Sequence, residues 1–120
     1  MIVSFEEMPV WQKSMDLAVA IHSLTSELPR SEDYGLTSQI RRAALSISDN
    51  IAEGFGRGHA NDKCMFYIIA RGSSHEVKSQ LIYGKRVKYF TEEITDLYLS
   101  NCNEIIFELN KLIRAVRKRD

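Results

Sequence analysis

The residues of this chain that could do chemistry are few, and their spacing excludes more than it suggests. Its three histidines, His22, His59 and His75, each lack a glutamate three residues earlier. The Glu-x-x-His pairs that project carboxylate and imidazole from successive helical turns toward a di-iron centre are therefore absent. Cys64 and Cys102 stand far apart among apolar neighbours, so no structural zinc pattern forms and both read as core thiols rather than ligands or nucleophiles. No nucleophile-elbow pattern surrounds any serine. The sequence supports neither an enzyme nor a bound metal or cofactor.

Two polar constellations carry more information. Arg42, Ser46, Asp49 and Glu53 follow one another at steps of four, three and four, and Ser73, Glu76 and Gln80 repeat the same helical spacing later in the chain. Such stripes are either solvated faces laced by weak intrahelical pairs, or contacts at a helix or subunit boundary where partly buried charges must be paired. Gly72 beside the second stripe suits a closely approaching neighbour, so Glu53, Gly72, Ser73 and Glu76 are the candidate packing and assembly residues. A second set is basic. Arg41, Arg42, Arg57, Arg71, Lys85 and Arg86 fall in the middle of the chain with Tyr67, Tyr83 and Tyr89 among them. Bases neutralise phosphates and aromatic rings stack on unpaired bases, which makes these six the candidate nucleic-acid contacts.

The elements that must position these residues are helices. From Pro9, a residue suited to a first helical turn, Trp11, Met15, Ala18, Ile21, Thr25 and Leu28 recur at steps of three and four, flanked by Val10, Leu17 and Leu24 in a wide apolar stripe, until Pro29 and a polar run end the pattern. Leu36, Ile40, Ala44, Ile47, Ile51 and Phe55 form a second apolar stripe, with Ser38, Arg41, Ser48 and Asp49 off it. Three glycines between Gly54 and Gly58 then predict left-handed cap and turn conformations. A phosphate-binding loop is not expected there, because no strand precedes it and the glycine spacing is wrong. Asn61 is the expected cap of a third helix running to about Phe90, with Met65, Ile69, Gly72, Glu76 and Leu81 on or near one side. Thr91, Glu92 and Glu93 predict the start of a fourth, whose seam is Tyr98, Cys102, Ile105, Leu109, Leu112 and Val116. Arg114, Arg117, Lys118 and Arg119 close it at the negative end of its dipole.

Four amphipathic helices with short connections predict one all-α domain over residues 1–120, an antiparallel up-and-down four-helix bundle. Sixteen basic and sixteen acidic residues cancel, so bulk charge draws the chain to no polyanion. The distribution is uneven, however: residues 1–40 sum to −4, 41–90 to +5 and 91–120 to −1. No stretch is apolar enough to span a bilayer, no export signal is evident, and two unpaired cysteines suit a reducing compartment, so the cytoplasm is expected.

The run of residues also resembles a known family. Val10-Trp11-Gln12-Lys13, Tyr34-Gly35-Leu36, Gln39-Ile40-Arg41-Arg42-Ala43-Ala44, Ser46-Ile47, Asn50-Ile51-Ala52-Glu53-Gly54 with Arg57, and then Ala70, Gly72-Ser73 and Glu76 are similar to the bacterial four-helix-bundle proteins encoded in 23S ribosomal RNA intervening sequences. The likeness is strongest from Tyr34 to Arg57, and in the fourth helix only the hydrophobic pattern matches. The resemblance implies an antiparallel bundle that assembles as a ring-shaped homopentamer. It further implies kinship with the accessory bundle proteins of diversity-generating retroelements, which associate with nucleic acid and a reverse transcriptase. Those accessory proteins are strongly basic, whereas this chain is neutral.

Two functions follow as expectations. The first is a non-enzymatic homo-oligomer that binds RNA or single-stranded DNA through its second and third helices. The alternative is an oligomeric scaffold or adaptor for another protein, without nucleic acid.

Overall fold

The computed structural model describes residues 1–118; Arg119, assigned above to the end of the last helix, lies outside them. Four helices follow in order: α1 (Pro9–Thr25), α2 (Leu36–Phe55), α3 (Ala60–Arg86) and α4 (Glu92–Arg117). Short 3-10 turns at Phe5–Glu7 and Arg30–Glu32 lead into α1 and α2. Each helix packs antiparallel on the next and α4 returns to α1, giving a rod of 47 × 22 × 20 Å. The tightest pairs are α2 with α3 and α3 with α4, while α1 and α4 meet least closely.

The stripes of α2 and α4 fall where their periodicity put them. Ile40, Ala44, Ile47 and Ile51 are sealed from solvent, as are Cys102 and Leu109, with Ile105 almost so. Thr91 caps α4 as its type predicts, its Oγ1 accepting the Ile94 N–H at 3.2 Å. Both cysteines are buried, and burial pushes the Cys102 thiol up to about 12.

Elsewhere the structure corrects the sequence reading. The buried line of α1 is Val10, Ser14, Leu17, Ile21 and Thr25, which leaves Trp11, Met15 and Ala18 half-buried beside it. Ser48, expected off the α2 stripe, is completely buried, its hydroxyl donating to the Leu45 carbonyl at 3.1 Å. The larger error concerns α3. Its core line is Cys64, Tyr67, Ala70, Ser73, Ser74, Val77, Leu81 and Gly84, so of the residues grouped on one side above only Leu81 is buried, while Met65, Ile69, Gly72 and Glu76 are exposed. Small residues let α2 and α4 approach α3, and Ser74 satisfies its hydroxyl on the Ala70 carbonyl at 2.9 Å, so serine is buried where methionine and isoleucine were expected.

The glycines also act differently from expectation. None of them has positive φ, and α3 begins at Ala60 with His59 rather than Asn61 at its cap position. Gly54 serves close packing: a Cβ there would stand 2.7 Å from Tyr67 Cε1. The left-handed residue is Lys88, at φ 68°. It ends α3 in a Schellman turn, with Tyr89 N donating to the Gly84 carbonyl at 2.8 Å and Lys88 N to that of Lys85 at 3.0 Å.

Candidate functional site

The two polar stripes meet along the outer edge of the α2–α3 pair. Ser46 Oγ and Ser73 Oγ lie 2.9 Å apart, and Asn50 Nδ2 donates to the Ser46 hydroxyl at 3.0 Å and to its carbonyl at 2.8 Å. This serine contact seals the seam, while the flanking charges point outward. Arg42, Glu53 and Glu76 are exposed; Glu53 meets Arg57 at 3.6 Å and Glu76 accepts from Gln80 Nε2 at 3.3 Å. Exposed pairs of this kind contribute only a few tenths of a kcal/mol. Within the protomer the charged stripes are therefore solvated, and Ser73 alone of the four packing candidates is buried in a helix contact.

Gly72 has no close neighbour within the protomer: a Cβ built on it meets nothing within 4 Å, so of the two contacts its position suggested, helix or subunit, the helix contact is not made. It lies on an exposed line of α3 with Met65, Ile69 and Glu76, and Met65 is 61% and Ile69 44% exposed. The spacing of these residues was legible in the sequence. Their outward orientation was not, because two apolar side chains at helical spacing otherwise signal a core.

The six basic candidates do not form one patch. Arg41 is committed to the end of α1: its Nε donates to Thr25 Oγ1 at 2.8 Å and its Nη2 to the His22 carbonyl at 3.0 Å and Ser26 Oγ at 3.3 Å. Arg57 lies over the Phe66 ring, 4.7 Å from its centroid, and Arg71 donates to Asn110 Oδ1 at 2.9 Å. Lys85 pairs with Glu92 at 3.3 Å. Arg42 and Arg86 are exposed and hold no side-chain hydrogen bond or ion pair among the described residues. Arg42 stands roughly 20 Å along α2 from its end at Phe55, at 1.5 Å per residue, and Arg57 lies beyond that end. Of the six, Arg41 and Arg71 make part-buried bonds that join one helix to another, while Arg57 and Lys85 meet their partners at the exposed surface.

The family model described as 23S rRNA-intervening sequence protein matches residues 6–111. The chain belongs to this family. A crystal structure of a protein of unknown function from the S23 ribosomal protein family of Bacteroides thetaiotaomicron resembles this intervening-sequence protein with a TM-score of 0.78. The two are 25% identical, and the match covers 87% of this chain and 97% of that one. No curated protein matches the chain.

In this intervening-sequence protein, no group of three or more His, Cys, Asp or Glu side chains among the described residues could hold a metal ion. No described helix is long and apolar enough to cross a membrane. The strongest polar clusters are structural. Lys13 of α1 bridges Glu104 and Glu108 of α4, and those hydrogen bonds raise its pKa. Glu32 Oε1 accepts the Leu36 N–H at 3.0 Å and its Oε2 the Tyr89 hydroxyl at 2.8 Å, tying the α1–α2 connection to the turn after α3.

Proposed function

We propose that this intervening-sequence protein is a non-enzymatic, self-assembling helical scaffold, with the outer face of α2 and α3 as its contact with a second copy. The observation that carries this is the exposed line Met65–Ile69–Gly72–Glu76. Glycine inside a helix costs about 1 kcal/mol relative to alanine. Gly72 recovers none of it within the protomer, because nothing lies near it. A second copy seated on Met65 and Ile69 would bury their side chains and use the missing Cβ for backbone approach. Arg42 and Glu53, exposed on the adjoining helix, would flank such a contact. A closed ring, the homopentamer implied by the family resemblance, requires this face to meet a different surface of its neighbour.

Sedimentation across micromolar dilutions tests the proposal. The native chain is expected to associate, and Met65→Asp with Ile69→Asp to leave a folded monomer. Gly72→Ala separates the two roles of that residue: the monomer should gain about 0.5–1 kcal/mol while association weakens. A native chain that stays monomeric rejects the reading.

A second reading, contact with RNA or single-stranded DNA, is supported by Arg42 and Arg86, which have no side-chain hydrogen bond or ion pair among the described residues. Repetition of these two charges around an oligomer would supply a field that one neutral chain lacks. It predicts affinity that falls steeply with salt and disappears with Arg42→Glu and Arg86→Glu. Without nucleic acid, the same assembly would act as an adaptor for another protein in the cytoplasm.

A further inference from the structure

We infer that the exposed line of α3 seats antiparallel on the outer line of α4 in a neighbouring copy, with Phe107 of one copy filling the space above Gly72 of the next. This rests on the self-assembly proposed above and names the second surface that it needs. At steps of three and four from Asp62 to Arg86, one side of α3 is exposed throughout, and Met65, Ile69 and Tyr83 are its apolar members. The same stepping from Glu93 to Lys118 along α4 also meets only exposed residues, with Leu97 53% and Phe107 62% exposed. Each line is roughly 36–38 Å long at 1.5 Å per residue. Alternate steps of three and four are the spacing at which two helices set side chains into each other's holes. The two lines lie on different helices, so a contact between them is head-to-tail.

Residue order selects the direction. With Phe107 set on Gly72, where the space a Cβ would face is open, the antiparallel register brings Tyr83 to Leu97 and Ser79 to Ser100. The same register joins Arg86 with Glu93 at one end and Asp62 with Lys118 at the other. None of these four charges makes an ion pair among the described residues. Lys111, whose ammonium lies 5.5 Å from the Phe107 ring centroid, and Arg114 would lay their aliphatic stems along Ile69 and Met65. One pair is of like charge, Glu76 with Glu104, but Lys13 already holds Glu104 at 2.5 Å and compensates it. A parallel register built on the same knob keeps one opposite-charge pair, Glu76 with Lys111, and sets Ile69 against Glu104 and Leu97 against Asp62. Its apolar side chains would face carboxylates. Both lines carry both signs, so neither is suited to a polyanion, whereas a second copy offers the charges in complementary order.

Complementation between two full-length variants tests this. Phe107→Asp and the Met65→Asp, Ile69→Asp variant should each sediment as a monomer at concentrations where the native chain associates. Mixed, they should form a one-to-one pair, because the first keeps the α3 line and the second keeps the α4 line. Adding Arg86→Glu to the Phe107→Asp chain should weaken that pair by at least about ten-fold. Glu93→Arg on the other chain should then restore it. Every substituted position is exposed, and circular dichroism verifies that each variant is folded. If Phe107→Asp associates as the native chain does, the α4 surface is overturned while the α3 face stands. Failure of the two monomers to pair on mixing overturns it equally, as does an Arg86→Glu defect that Glu93→Arg leaves unrepaired. A native chain that stays monomeric rejects the self-assembly reading itself, and this inference with it.

Discussion

The ring of Phe90 occupies the space where a side chain on Gly84 would lie. A Cβ built on Gly84 overlaps Phe90 Cδ2 and Cε2, and Phe90 is itself 5% exposed, so neither group has room to move outward cheaply. The chain reverses here after α3, and the Phe90 N–H donates to the Gly84 carbonyl at 3.2 Å. Gly84→Ala should therefore destabilise the fold by about 1–3 kcal/mol despite the better helix propensity of alanine. Urea denaturation measures this; an unchanged midpoint would show that the Phe90 ring relaxes without cost.

Lys88 makes the opposite prediction. It holds the left-handed position of the turn that ends α3, where a Cβ is unfavourable by roughly 1–2 kcal/mol. Lys88→Gly should raise stability by up to about 1 kcal/mol, the remainder being offset by glycine's greater freedom in the unfolded chain. A thermal melt should show a higher midpoint.

Arg41 should behave as a structural residue before it behaves as a nucleic-acid contact. Its guanidinium bonds to Thr25, His22 and Ser26, and so satisfies the last turn of α1 from α2. Arg41→Ala is expected to cost about 1–2 kcal/mol, and Arg41→Lys nearly as much, because an ammonium cannot reproduce the planar fork. Arg42→Ala, one residue along and without a partner among the described residues, should change stability by less than about 0.5 kcal/mol. Parallel denaturation curves decide between them.

The Glu32–Tyr89 bond should make stability depend on pH at both extremes. Backbone donation from Leu36, and then the Tyr89 hydroxyl, hold the Glu32 carboxyl below its ordinary value of 4.5. Its contribution is present above that range and is lost as pH falls through the lowered value. The bond to Glu32, and then burial, raise the Tyr89 hydroxyl above its ordinary 10.0. That contribution is present below pH 10.0 and disappears as pH rises through the raised value. In melts at graded pH, Tyr89→Phe should flatten the alkaline decline and Glu32→Gln the acid one.

Cys102 should be inert while the protein is folded. Only the thiolate attacks, and burial that pushes the thiol up to about 12 leaves almost none of it at neutral pH. A thiol reagent at pH 8 should label Cys102 at the rate of unfolding, and immediately in denaturant. Fast labelling of the native protein would mean that α4 opens locally.

How much of this was legible in the sequence differs from helix to helix. The steps of three and four in Leu36–Phe55 and Tyr98–Val116 fix a period and a phase together, since strongly apolar residues recur on one side only. In α1 and α3 apolar residues occur on several sides. Met65 and Ile69 are as greasy as Val77 and Leu81, and only the positions of α2 and α4 decide which pair is covered.

The sequence by itself determined that four helices form, where α4 is capped, that the thiols are buried, and which family the chain belongs to. Those features depend on local spacing, on residue type, or on a motif that needs no neighbour. Tertiary structure alone decided which glycine is crowded and which is open, and which arginine is committed and which has no partner among the described residues. These depend on the distance between side chains far apart in the chain, such as Arg41 to Thr25 or Lys13 to Glu104, and packing sets that distance.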